Sequence, residues 1–225
     1  MMSVRIRPYR PEDREAVRRI CADTGFLGRP IDPVFEDREL FADYLTGYYT
    51  RVEPASLLVC ELDGVVKGYL MGCRRPLIKQ TYQAFANVAV AATAIHRCYA
   101  RPYNESSRTF LRWVLRNAWR ELPVAPRNTP HFHINILPEA KSVASTRALI
   151  QTFLTFLHER GHRSVCGQMV TFATRRTEAL FSRYGFRVVD QVEVTKYRGL
   201  YPGRVLLSTV VKDLSGGPAL RPAAD

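Results

Sequence analysis

The segment from His131 to Thr146 holds the residues best suited to chemistry. His131 and His133 stand two apart in His131-Phe132-His133-Ile134-Asn135-Ile136-Leu137, which reads as a strand. Alternation along a strand turns both imidazoles to one face. An imidazole titrates near neutrality, so either ring can take a proton from a substrate ammonium, directly or through water. No third ligand accompanies the pair, so a metal site is not expected, and no Ser-His-Asp or Cys-His set is discernible. The strand leads through Pro138-Glu139-Ala140-Lys141-Ser142-Val143-Ala144-Ser145 into a helix running from Thr146 to Gly161. A helix N-terminus presents unpaired N–H groups and a partial positive charge, which together bind anions. Lys141 adds a full charge there, and Ser142, Ser145 and Thr146 offer hydroxyl donors.

These groups need elements to hold them. Val4-Arg5-Ile6-Arg7 alternates as a strand, and Pro11-Glu12-Asp13 opens a helix with Ala16, Val17, Ile20 and Cys21 on one face. Phe35 to Tyr49 reads as a second helix. Ser56 to Glu61 and Val65 to Cys73 form a hairpin about Asp63-Gly64. Gln80 to Tyr99, rich in alanine and apolar residues, is expected as a buried helix. Ser106 or Ser107 caps the next helix, Arg108 to Leu122, whose apolar stripe is Leu111, Val114, Leu115 and Ala118. Its Arg108, Arg112, Arg116 and Arg120 share a face, read as solvated in preference to an anion-binding ridge. After the prolines 123, 126 and 130 come the histidine strand and the helix that buries Leu149, Ile150, Phe153, Leu154 and Leu157. Gly161 ends that helix. A strand from Ser164 to Val170, a helix from Thr174 to Tyr184, and strands over Arg187–Tyr197 and Arg204–Val211 complete the order. The pattern predicts one α/β domain over 1–214, with an α+β mixed sheet of about seven strands covered by helices on both faces. Residues 76–130 form a helical insert between the third and fourth strands, and 215–225 form a loose tail.

The chain has 225 residues, 46% hydrophobic and 24% charged, which excludes global disorder. No run of 18 apolar residues suits a membrane span, and Met1-Met2-Ser3-Val4-Arg5 lacks the apolar stretch of a signal peptide. Five scattered cysteines without a CxxC pair read as reduced thiols of a cytoplasmic protein. With 33 basic and 21 acidic residues the net charge is +12, which suggests an anionic partner. Nucleic acid is not the expected one, because no aromatic residues interleave on the arginine face.

Four stretches in order resemble the Gcn5-related N-acetyltransferase superfamily. They are Val4 to Asp13, Leu57 to Gly72, His131 to Lys141 followed by Arg147-Ala148-Leu149-Ile150, and Leu180-Phe181-Ser182-Arg183-Tyr184-Gly185-Phe186. The resemblance implies acetyl transfer from acetyl-CoA to a primary amine, on a small molecule or a peptide, by direct attack in a ternary complex. In that family the fourth strand splays from the fifth and the pantetheine arm lies in the gap. This places the arm along Ile136, Leu137 and Pro138, and the pyrophosphate over Lys141, Ser142, Val143, Ala144, Ser145 and Thr146. A backbone N–H near Leu137 would polarise the thioester carbonyl. Thr174 falls where the family often has an asparagine contacting CoA. Phe181 falls where many members carry a tyrosine that protonates the leaving thiolate, and Tyr184 is the nearest substitute. The histidine pair is similar to that of the arylalkylamine branch, with a one-residue gap. Where the family's phosphate turn has glycines, this chain has Ala144 and Thr146, and each adds a β-carbon. Those departures keep a second reading open, an impaired module that binds CoA weakly or mediates protein interaction. A homodimer is also left open.

Overall fold

The computed structural model describes residues 3–100, 102–173, 177–182 and 184–220. Seven strands form one sheet: β1 (Val4–Pro8), β2 (Leu57–Leu62), β3 (Val65–Cys73), β4 (His131–Ile136), β5 (Ser164–Phe172), β6 (Arg187–Glu193) and β7 (Val205–Asp213). Their order is β1-β2-β3-β4-β5-β7-β6, antiparallel throughout except for β4 beside β5. Asp63 and Gly64 take φ of +49° and +81°, the left-handed pair that a two-residue hairpin turn demands. Helices α1 (Arg14–Asp23), α2 (Arg38–Arg51), α3 (Pro76–Ala100), α4 (Glu105–Arg116), α5 (Val143–His158) and α6 (Thr177–Ser182) flank the sheet.

Strand alternation divides the core. Leu58, Cys60, Leu70, Phe132 and Ile136 face α5 and its Leu149, Phe153, Leu154 and Leu157. Leu57, Val59, Tyr69, Met71 and Cys73 face the other way, against Val17 and Ile20 of α1 and Tyr48 and Tyr49 of α2. Gly72 lets α5 sit close: a β-carbon there would run into the Phe153 ring and lie 2.8 Å from the Ser56 carbonyl. Arg7 ties β1 to the start of α1 by donating to Asp13 at 2.7 Å, and it also reaches Glu61 at 2.7 Å.

The insert differs from expectation. The helix over Gln80–Tyr99 exists within α3 but is not buried. Its inward face is narrow, made of Lys79, Tyr82, Val90 and Ala94, while Phe85, Val88, Ile95 and Tyr99 stand in solvent. The apolar composition misled because it fills both faces of the helix, and only one finds a partner. On α4 the cap is Asn104, which accepts from the Ser107 N–H at 2.8 Å; Ser107 itself is buried and bonds Glu36. Phe110, Leu111 and Trp113 point inward, whereas Leu115 is exposed. Arg108, Arg112, Arg116 and Arg120 are all exposed, as a solvated face would be. Lys196 lies over the rings of Phe110, Trp113 and Tyr197, 4.8–5.7 Å from their centres.

Two other boundaries shift. β6 stops at Glu193, and Thr195–Tyr197 is a 3-10 turn. Residues 215–220 are not loose. Leu220 is buried against the α5 core, and Gln151 accepts from the Leu220 N–H while donating to the Pro218 carbonyl. Among the described residues, no helix is long and apolar enough to cross a membrane.

Candidate active site

β4 and β5 pair only at His131↔Cys166 and Phe132↔Gly167. Beyond Phe132 the strands part, although β4 stays paired to β3 as far as Gly68↔Ile136. The Leu137 N–H donates to the Lys67 carbonyl at 2.8 Å, so Leu137 belongs to the β3 side of the alternation. Ile134 and Ile136 belong to the other side, and their N–H groups face the opening. This corrects one expectation: the amide of Leu137 is already engaged, and the neighbouring amides of Ile134 and Ile136 are the ones turned to the gap.

Past the gap the chain makes a short 3-10 turn over Pro138–Ala140 and enters α5. Ser142 caps the helix by accepting from the Ser145 N–H at 3.0 Å. Ser145 returns the bond to the Ser142 N–H, and its hydroxyl donates to the Ala140 carbonyl at 2.7 Å. These hydroxyls therefore hold the turn together and are not spare donors, contrary to expectation. The N–H groups of Val143 and Ala144 have no acceptor among the described residues, and both residues are exposed along with Lys141. Two open amides, a lysine and a helix N-terminus form a cradle for a phosphate-sized anion. The site fits the phosphate end of a CoA ester, and the strand gap beside it fits an extended amide-bearing arm.

The other face of β4 carries a polar cluster. The Lys79 ammonium donates to the Tyr49 hydroxyl at 2.6 Å and to His131 Nε2 at 2.9 Å. Tyr49 Oη also lies 3.3 Å from that nitrogen. His133, one step beyond the last paired residues, meets the Tyr49 ring at 6.0 Å and the His131 ring at 5.8 Å. Burial, then the Lys79 charge, pushes the His131 imidazolium down to about 3. The same two causes, with His131 itself, hold His133 well below its usual value. Burial also lowers the Lys79 ammonium and raises the Tyr49 phenol. Both imidazoles are thus neutral at working pH. His131 is not the free base its position suggested, since its Nε2 is engaged by Lys79 and Tyr49.

Solved structures share this arrangement of strands and helices. SsHAT superposes with a TM-score of 0.63 at 28% identity, over 94% of this chain and 98% of that one. An N-acetyltransferase from Staphylococcus aureus Mu50 gives a TM-score of 0.53 at 13% identity, over 94% of this chain and 98% of its own. The yncA acetyltransferase of Salmonella typhimurium, solved with its cofactor acetyl-CoA, gives 0.53 at 15% identity, over 96% and 97%. The chain therefore shares the fold of the N-acetyltransferases. No family model matches the sequence, and no curated protein matches it.

On this acetyltransferase frame the expected residues fall into three groups. Ile136, Leu137 and Pro138 border the gap, and Lys141 to Thr146 form the turn. Phe181 and Tyr184 pack on the α5-side core that also holds Ile134 and Ile136. Thr174 lies outside the described residues. Sequence reasoning missed Tyr49 and Lys79. Lys79 did leave a signal: it is the sole formal charge between Pro76 and His96, and a lone charge in an apolar helix needs a polar partner. Asn135 was also missed. Its side chain donates to Thr24 Oγ1 and pins the end of α1 to β4.

Proposed function

We propose that the protein is an acetyl-CoA-dependent N-acetyltransferase that acts on a primary amine by direct attack in a ternary complex. One observation carries the reading: beyond the β4–β5 parting the chain makes a solvent-exposed turn whose Val143 and Ala144 amides have no acceptor among the described residues. Acetyl-CoA, when bound, supplies an activated acetyl group. The amides of Val143 and Ala144, with Lys141, hold its phosphate charge. The N–H groups of Ile134 and Ile136 serve as donors along the gap, and a donor aimed at a developing oxyanion is the strongest lever in acyl transfer. His133 accepts a proton from the acceptor ammonium. Its lowered pKa makes it a weak base, so the proton does not stay on the ring and is released to bulk water. Tyr184 is the candidate to return a proton to the leaving sulfur. The acetyl-CoA found in yncA and the amine substrates named for related folds, such as the Drosophila polyamine N-acetyltransferase, support this class of reaction.

The test is thermal stability with increasing acetyl-CoA, followed by thiol release with a panel of primary amines. A ligand held at about 100 times its Kd stabilises by about 2.7 kcal/mol. Ala144→Glu, which sets a carboxylate on the open turn, is expected to weaken acetyl-CoA at least tenfold. Absence of stabilisation at millimolar acetyl-CoA overturns the proposal and leaves the impaired module.

A further inference from the structure

The outward face of α3 carries no formal charge. Between Pro76 and Ala100 the charged residues are Lys79 and Arg97. Both are tied to the body of the protein, Lys79 to Tyr49 and His131, and Arg97 to Asp37. Within the broad exposed face, Ile78, Thr81, Phe85, Val88, Ala92, Ile95 and Tyr99 form one continuous stripe along the helix. Their spacing alternates three and four, the repeat of a helix seam made to meet another helix. Phe85 is 75% exposed, Val88 71% and Tyr99 88%. Elsewhere the protein is strongly basic, with a net charge of +12, so an uncharged face of this length is not generic surface.

We infer that this face is a homodimer interface, α3 packing antiparallel on α3 of a second copy about a two-fold axis at Val88. Three arguments select a second copy. First, Val88 lies at the centre of the Pro76–Ala100 helix, and an antiparallel two-fold there sets each large residue against a smaller or complementary one. Phe85 meets the partner copy's alanine at position 92, Thr81 its isoleucine at 95, and Tyr99 its isoleucine at 78. A parallel pairing would instead stack Phe85 on Phe85 and leave a void between the alanines at 92. Second, the area suffices. Phe85 and Tyr99 expose roughly 300 Å² per chain, and with Ile78, Val88 and Ile95 the seam passes about 500 Å². A pair then buries more than about 1,000 Å², the size at which an interface becomes specific. Third, an uncharged face lets two copies meet without burying unpaired charge, although each carries +12 elsewhere. The inference stands apart from acetyl transfer and uses none of the gap residues.

The test is sedimentation equilibrium of the full chain across a concentration series, with circular dichroism to confirm folding. The wild type is expected to dimerise reversibly. Val88→Glu and Val88→Lys each place like charges on the axis, and each alone is expected to sediment as a monomer, its dimer constant weakened at least 100-fold. Mixing the two variants is expected to restore a heterodimer, because opposite charges then meet. A wild type that stays monomeric at high micromolar concentration overturns the inference. So does a dimer indifferent to both Val88 variants, or variants that fail to complement. A monomeric wild type that cosediments with phosphatidylcholine–phosphatidylglycerol vesicles would assign the face to a membrane surface instead.

Discussion

The depressed histidines predict a pH dependence of stability that can be worked through. His131 titrates at about 3 in the folded protein and at about 6.5 in an unfolded chain. A group with a lowered folded pKa adds stability that is fully present above its unfolded value. That stability is lost as pH falls toward the folded value, because the unfolded chain takes up the proton first. The window for His131 therefore runs from about 6.5 down to about 3. Each pH unit inside it is worth about 1.4 kcal/mol, so lowering the pH from 7 to 5 costs about 2 kcal/mol for this one ring. His133, shifted in the same direction by burial and by Lys79, acts in the same sense. Asp13 and Asp37, held down by Arg7 and by Arg97 with Tyr103, act in the same sense but from near 4 downward, so pH 5 to 7 isolates the imidazoles. Urea unfolding at pH 7, 6 and 5 and fixed ionic strength measures the slope. His131→Gln keeps an acceptor for Lys79 but does not titrate, and His133→Leu removes the second ring. The double variant is expected to lose most of the slope, with the half-buried His162 leaving a smaller residue. Equal slopes in the wild type and the double variant would refute the reasoning.

Tyr184→Phe is expected to lower kcat about 100-fold with acetyl-CoA affinity unchanged; a change below threefold in steady-state kinetics places the thiolate's proton elsewhere. Gly72→Ala forces a β-carbon into the Phe153 ring and should cost about 2 kcal/mol or more by denaturant unfolding. Lys196, pushed down to about 8 by burial, is an expensive charge at neutral pH. Lys196→Met is therefore expected to stabilise by about 1–3 kcal/mol in thermal melts, the lost contacts to Phe110, Trp113 and Tyr197 offsetting part of the gain. Ser145→Ala removes the reciprocal cap and the bond to Ala140, and should cost about 1–2 kcal/mol while loosening the phosphate turn, read as weaker acetyl-CoA protection.

The succession of strands along the chain and the helix-covered mixed sheet were legible because local signals agree with the fold, whereas the order of strands within the sheet was not read. Asp63-Gly64 fixes its hairpin, Gly161 takes φ of +76° at the end of α5, and the His131–Ile136 alternation gives the right faces. The site was half legible. A strand running into a helix N-terminus can be read from residues 131–146. Which amides remain free cannot, because that depends on the Ser142–Ser145 exchange and on a register set by Lys67. The state of the imidazoles was hidden for a related reason. It is decided by Lys79 and Tyr49, 52 and 82 positions from His131, and spacing carries no trace of such a pairing. The α3 expectation failed because composition reports how apolar a helix is and not how many of its faces are covered.

The bond from Lys79 to His131 bears on how the chain could have been assembled. It fastens the inserted helices to the central ribbon of the sheet, while Arg97 and Ser107 tie them to the segment that opens α2. Excision of 76–130 and closure of the cut would remove Lys79 and leave His131 and Tyr49 with only each other as polar partners in that cluster. The insert is thus no removable appendage, and a shortened chain should melt as a different, weaker molecule, not as the same one with a piece missing.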